Sequence, residues 1–352
     1  MSETADALRL PETLAEALTP EWLTQAIGRR HPGIEVTGVD VGPVVARITT
    51  NARFTITCAD GLSAGLSPHL CLKGYFNEAG QRARRAGIPE ACFYRDLAEV
   101  SGVRTLRPVF AGVDVSGGHA LVITEDVIAQ GATFLDGTSA YTADQAAASL
   151  TELAQLHAST WKAPQWRDAS WLRTRLDQIL TTRGAAHIPE HLSGANAAGV
   201  PVEARDGARL VAAYARLAEL VAAEPDWCVV HGDPHVANLY LAGDGNPSLI
   251  DWQVAQRAPW DLDVGYHIAA TLSVADRRAH ERDLLRHYLA ELDARGGPAP
   301  SFDDAWPALR RGILHGFFMW AITMYVAPPT IAAMLERLGT AVADHDAFAV
   351  AT

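Results

Sequence analysis

The chain has 352 residues, 49% of them hydrophobic and 20% charged, enough for two lobes that each carry a core. Its 41 acidic residues outnumber 29 basic ones and leave a formal charge of −12, which disfavours nucleic acid and anionic membranes and weakly favours a cationic ligand. Cys58, Cys71, Cys92 and Cys228 lack paired short spacings and read as buried free thiols of a cytosolic protein. The segment Met1–Arg30 has no basic n-region followed by an apolar h-region, so no secretory signal is expected. The longest apolar run, Ile313–Ala327, contains His315 and Gly316, is too short to span a bilayer, and reads as a core helix. These features predict a cytoplasmic protein with no nucleic-acid or membrane partner and no evident obligate protein partner.

Thr19-Pro20-Glu21 is a helix start, with a cap, a proline at the first helical position and an acid in the first turn. Strands are predicted at Ile34–Val36, Val39–Val41, Arg53–Thr57 and His69–Lys73, with a turn through Thr50-Asn51. Lys73 closes an apolar strand, where an ammonium needs a partner. A helix beginning near Pro89 places Glu90, Phe93 and Leu97 on one inward face, so Glu90 is a candidate partner for Lys73. Such a Lys–Glu pair positions nucleotide phosphates in phosphoryl transfer; the plainer alternative is a surface Glu and a snorkelling Lys.

Ala120–Val127 is a strand that ends in two acids, Glu125 and Asp126. Thr142-Ala143-Asp144-Gln145 is a capping box for a helix carrying Leu150, Leu153, Leu156 and His157, the last readable as a core histidine with one hydrogen bond. Residues 163–225 read as helices with a polar interruption at Ser193–Asp206.

The most informative segment is His231-Gly232-Asp233-Pro234-His235-Val236-Ala237-Asn238, followed by Leu249-Ile250-Asp251-Trp252. Leu239–Leu241 and Ser248–Ile250 read as short strands around a Gly243–Pro247 turn, and that hairpin would bring Asn238 and Asp251 side by side. Phosphoryl transfer needs such a meeting: an Asp to orient and accept a hydroxyl proton, and an Asn with a second Asp to hold Mg²⁺ over the triphosphate. A rival reading lets the alternating His231, Asp233 and His235 bind zinc as a hydrolase, although Pro234 argues against a regular strand and no Cys or His cluster follows.

The ordered set His-Gly-Asp-x-x-x-x-Asn and Ile-Asp-Trp resembles the aminoglycoside phosphotransferase superfamily, the small-molecule branch of the kinase-like fold. Leu156-His157-Ala158-x-x-Trp161 is similar to its ecdysteroid-kinase-like branch. The resemblance spans roughly Val39 to Leu292. It implies an α+β, two-lobed protein-kinase-like fold: residues 1–125 as a nucleotide-binding lobe with an antiparallel sheet, and 126–352 as a larger helical lobe.

It further implies ATP and Mg²⁺ as cofactors, with Asp233 as the catalytic base and Asn238 and Asp251 as metal ligands. Lys73, set by Glu90, would hold the nucleotide phosphates, and Thr49, Thr50 and Asn51 would cover them. The backbone around Glu125 and Val127 would meet the adenine edge. Asp263 would brace the catalytic loop, with His231 supporting it, and Trp260, Asp261 and His235 would approach the acceptor. One departure from the family is the covering turn Ala46–Arg53, which has no glycine. The acceptor is a small-molecule hydroxyl: an aminoglycoside or other amino sugar, a sterol-like alcohol, or a hydroxyacyl thioester. The last is kept because similar chains occur beside acyl-CoA dehydrogenase domains. A non-catalytic nucleotide-binding protein of the same fold is the alternative from another class.

Overall fold

A computed structural model describes residues 8–182 and 185–351, so the first seven residues of the segment read for a signal lie outside the described residues. The chain divides into two compact units: residues 1–100 with 105–132, and residues 101–104 with 133–352. The first unit continues past the 125/126 boundary read from sequence because Asp126–Ala132 folds back on itself. Ala129 N–H donates to the Asp126 carbonyl and Ala132 N–H to that of Val127.

The first unit holds one antiparallel sheet built from β1 (Val36–Ala46), β2 (Thr50–Cys58), β3 (His69–Gly74), β4 (Pro108–Asp114) and β5 (His119–Glu125), in the order β1-β2-β3-β5-β4. Alternation in β2 buries Ala52, Phe54 and Ile56 on one face. Phe54 and Ile56 form one core with Leu70, Leu72, Leu121 and Ile123, to which helix α1 (Pro20–Gly28) adds Leu23, Ala26 and Ile27. Thr19 caps that helix by accepting from Trp22 N–H. The two short strands expected over residues 34–41 are one strand, whose irregularities between Val36 and Gly38 and between Val41 and Val44 absorb Thr37, Gly42 and Pro43. The turn into β2 lies at residues 47–49, closed by Arg47 N–H on the Thr49 carbonyl, so Thr50 and Asn51 are strand residues. Helix α2 (Ile88–Cys92) carries Glu90 and continues through a π-helical turn at Phe93–Leu97.

The second unit is mostly helical. Its long helices are α3 (Ala143–Thr160), α4 (Gly207–Ala223), α5 (Asp261–Thr271), α6 (Val274–Ala294), α7 (Phe302–Ala321) and α8 (Pro328–His345). Three short strands, β6 (Thr133–Phe134), β8 (Leu239–Leu241) and β9 (Pro247–Leu249), form one small sheet. The strands β7 (Cys228–Val230) and β10 (Gln256–Ala258) pair antiparallel. Helices α5 and α7 pack together through glycines: a Cβ at Gly312 would lie 2.3 Å from the Asp261 carbonyl oxygen, and one at Gly265 2.2 Å from that of Leu309. The apolar run read as Ile313–Ala327 is helical only to Ala321; Met324, Tyr325 and Val326 beyond it are exposed. Among the described residues, no helix is long and apolar enough to cross a membrane.

Candidate active site

The second unit positions its chemistry at the end of β7. Cys228, Val229 and Val230 are buried, and the chain leaves them at His231 into a loop with no regular hydrogen-bond ladder of its own. Asp263 supplies the missing acceptors. Its Oδ2 accepts from His231 N–H at 2.7 Å and its Oδ1 from Gly232 N–H at 2.8 Å. His157 Nε2 lies 3.1 Å from Asp263 Oδ2, and His157 Nδ1 shares a hydrogen bond of 2.8 Å with the Tyr288 hydroxyl. Burial alone would raise the Asp263 carboxyl, but the hydrogen bond and charge of His157 outweigh it and hold the carboxylate below its ordinary range.

His231 turns back on the loop. Its Nδ1 accepts from Asp233 N–H at 3.2 Å, which leaves Nε2 to donate to the Ile250 carbonyl at 2.8 Å. Burial lowers its pKa, in keeping with a neutral ring. Both nitrogens are thereby occupied, and neither lone pair remains for zinc. Among the described residues, no group of three or more His, Cys, Asp or Glu could hold a metal ion. Gly232 has φ +80°, and a Cβ there would come within 2.5 Å of the Val254 carbonyl oxygen, so only glycine fits.

Asp233 is presented by three partners. Tyr266 OH donates to Oδ1 at 2.7 Å, Asn238 Nδ2 donates to Oδ2 at 3.3 Å, and His235 Nε2 lies 3.5 Å from Oδ2. Burial would raise this carboxyl; the charge of His235 and the hydrogen bonds from His235 and Tyr266 outweigh burial, so its pKa falls well below the usual carboxylate value. The loop's far side is held by His267, whose Nδ1 meets the Pro234 carbonyl at 2.7 Å, and by His315, whose Nε2 meets the Gly232 carbonyl at 2.9 Å. Burial pushes His267 down to about 4.

The hairpin brings the two candidate metal ligands together. Leu239 pairs with Leu249, and Ile250 N–H donates to the Asn238 carbonyl at 3.0 Å, which places Asp251 beside Asn238. Asn238 spends Nδ2 on the Asp233 carbonyl, at 2.8 Å, so its Oδ1 is the atom a cation would take. Asp251 sits at φ +65°, a left-handed conformation that a non-glycine residue adopts at a cost. An amide oxygen and a carboxylate are hard donors that suit Mg²⁺, and the donor set fits that ion.

In the first unit, Lys73 Nζ lies 2.9 Å from Glu90 Oε1 and 2.8 Å from Oε2, with the Glu90 side chain buried. Thr50 is buried, opposite Gly74, and Asn51 Nδ2 points to Thr49 Oγ1 at 3.5 Å. Glu125 is engaged by Arg107 at 3.2 Å and by Gln130 at 2.9 Å, while the Val127 carbonyl already accepts from Gln130 and Ala132 N–H. Arg53 Nε meets Asp126 Oδ2 at 2.6 Å, a pair that sequence reading did not find.

Trp260 and Asp261 differ most from their sequence-based placement beside the acceptor. Ala258 pairs with Cys228 and Gln256 with Val230, so β10 leads these two residues to the end of β7 opposite the 231–238 loop. There Trp260 stacks on Tyr288, with ring centroids 5.2 Å apart, and the buried Asp261 pairs with Arg311. Sequence reading also missed Tyr266 and His315. Tyr266 lies three residues after Asp263 on one helix face, a usable signal, whereas His315 sits in an apolar run that gives none.

The phosphotransferase enzyme family (APH) matches residues 40–310. Similar solved structures include the choline kinase LicA from Streptococcus pneumoniae, with 13% identity, a TM-score of 0.51, and coverage of 92% of this chain and 98% of that one. The choline kinase from Cryptosporidium parvum has 10% identity, a TM-score of 0.53, and coverage of 88% and 89% respectively. An ethanolamine kinase from Plasmodium vivax has 11% identity, a TM-score of 0.50, and coverage of 91% and 86%. At these identities the likeness speaks for the kinase-like fold alone. Among curated proteins, none matches the sequence.

Proposed function

Because this chain belongs to the phosphotransferase enzyme family, we propose that it transfers the γ-phosphoryl group of ATP to a hydroxyl of a small molecule, with Mg²⁺ as cofactor. One observation carries the reading: an ionised Asp233, fixed by Tyr266 and Asn238, stands on the loop whose far end joins the Asn238–Asp251 hairpin. Asp233 accepts the hydroxyl proton as the acceptor oxygen forms its bond to the γ-phosphorus. The bond from that phosphorus to the β–γ bridging oxygen breaks, and ADP leaves with the electron pair. Asn238 and Asp251 would hold Mg²⁺, which neutralises the charge that builds on the phosphates. Lys73, oriented by Glu90, is assigned to the nucleotide phosphates, Thr49, Thr50 and Asn51 to their cover, and the backbone about Glu125 and Val127 to the base. Asp263 and His231 keep the loop in place.

For the acceptor we favour an alcohol with an uncharged, apolar body, such as a sterol-like alcohol or a hydroxyacyl thioester, over a polycationic amino sugar. The support is the set of rings about Asp233. His235 packs edge-on against Trp320 at 5.0 Å, and Tyr266 lies beyond at 6.2 Å from His235. The test is a screen of pooled hydroxyl compounds for ADP release with mass detection of the added phosphate, run beside Asp233→Asn. General-base loss should cut turnover by about 10²–10⁴ while ATP affinity stays within about threefold. Turnover of the variant at the parent rate would remove Asp233 from this role.

A further inference from the structure

At the end of β7 away from the catalytic loop, the second unit contains a pocket of about 280 Å³. Trp161, Glu224, Asp226, Trp260, Asp261 and Arg311 line it together with three prolines. No residue of the 231–238 loop, nor Asp251, is among them. Glu224 and Asp226 precede β7 and Asp261 follows β10, whereas Asp233 lies past the other end of β7, so this is a separate place in the fold.

Its bases are unevenly shared. Arg311 is shared by two carboxylates, with Nη1 on Glu224 at 2.8 Å and Nη2 on Asp261 Oδ2 at 2.5 Å. Lys162 answers Asp226 at 2.7 Å from the exposed side. Arg311 therefore answers two acids at once. The acid left short is also the most enclosed: Asp261 is fully buried, and its Oδ1 has no hydrogen-bond partner. A buried carboxyl oxygen without a donor is costly; an N–H donor satisfies it, and positive charge on that donor favours the ionised acid. The remaining walls suit the same visitor, because the indoles of Trp161 and Trp260 attract cations. The volume lies just below the range for drug-sized ligand pockets, roughly 300–1,000 Å³, and suits a smaller molecule.

We propose that this pocket is a second ligand site, separate from the catalytic centre, for a small organic cation bearing N–H donors, a primary ammonium or a guanidinium, received by Asp261 and Glu224 beside Trp161 and Trp260. The site stands on its own residues and does not depend on the reaction assigned above.

Isothermal titration of the full chain at low salt with agmatine, which carries both an ammonium and a guanidinium, tests it. The expected result is saturable binding at one site, weakened at least tenfold in Asp261→Asn and in Glu224→Gln, and unchanged in Asp233→Asn. Tetramethylammonium, a cation without N–H groups, should bind at least tenfold more weakly than agmatine. Should Asp261→Asn fail to fold, Glu224→Gln at the half-exposed edge carries the comparison alone. Absence of saturable binding, equal binding by tetramethylammonium, or loss in Asp233→Asn with none in Glu224→Gln would each overturn the proposal.

Discussion

His157 Nε2 lies 3.1 Å from Asp263 Oδ2, and neither side chain reaches solvent. A histidine that reads in sequence as a routine core residue is thus two hydrogen bonds away from the backbone of the 231–238 loop, through the carboxylate that receives His231 and Gly232 N–H.

Asp263→Asn should uncouple that chain. An amide has one accepting oxygen where the carboxylate has two, so one of the two buried N–H groups loses its partner, at a cost of about 1–3 kcal/mol. Urea unfolding should report that loss, and turnover should fall with it because Asp233 is carried on the same loop. Stability unchanged within about 0.5 kcal/mol would show that the loop does not lean on this carboxylate.

Asp251 separates charge from conformation. At φ +65°, asparagine is tolerated nearly as well as aspartate, whereas alanine adds strain of about 1–2 kcal/mol. Asp251→Asn should therefore fold like the parent yet require more Mg²⁺ for half-maximal turnover, and Asp251→Ala should lose stability as well. A magnesium titration of turnover, paired with urea unfolding of both variants, checks this. Parental Mg²⁺ dependence in the asparagine variant would place the second metal carboxylate elsewhere.

Burial pushes the Asp261 carboxyl up to about 7 from an ordinary 3.8, despite the attraction of Arg311. The sign follows from linkage. With the folded pKa above the unfolded one, the residue's contribution is complete below the unfolded value and is lost as pH rises through about 7. Asp261→Asn has no such titration. The melting temperature of the parent should therefore decline relative to that of the variant between about pH 5 and pH 8. A constant difference across that range would mean that Arg311 compensates the buried charge in full.

An acceptor bound through an apolar body should show little salt dependence. Exposed charge attraction is screened over about 10 Å at 0.1 M salt, so a polycationic acceptor would lose affinity steeply. Measuring kcat/KM for the best screened acceptor from about 50 to about 500 mM salt separates the cases. A fall beyond tenfold with ATP affinity unchanged would return amino sugars to first place.

Legibility in the sequence followed the range of each interaction. The loop and hairpin from His231 to Asp251 could be read because a short turn fixes which residues meet, and the Lys73–Glu90 pair because an inward charge in an apolar pattern demands a partner. Placement failed where pairing over distance decides. The direction in which β10 leaves its partner sets the position of Trp260 and Asp261, and no local pattern states that direction. Tyr266 and His315 approach the loop from two helices whose apolar surroundings hide any polar role. Thr50 and Asn51 read as turn residues by type, but hydrogen bonding across β2 and β3 claimed them for the strand.

The glycines between α5 and α7 let two backbones approach as no pair of larger residues would. One of these helices carries Tyr266, which touches Asp233, and the other carries His315, which touches Gly232. The Asp233 carboxylate is therefore aimed by interlocked scaffolding before any ligand arrives, and in the role proposed for it no work of reorganising it would fall to the reaction. Mutational drift at Gly265, Gly312 or Gly316 would misalign the base without touching it. The exposed Met324–Val326 segment that follows α7 lies outside this seam, so a change there leaves those glycine contacts intact.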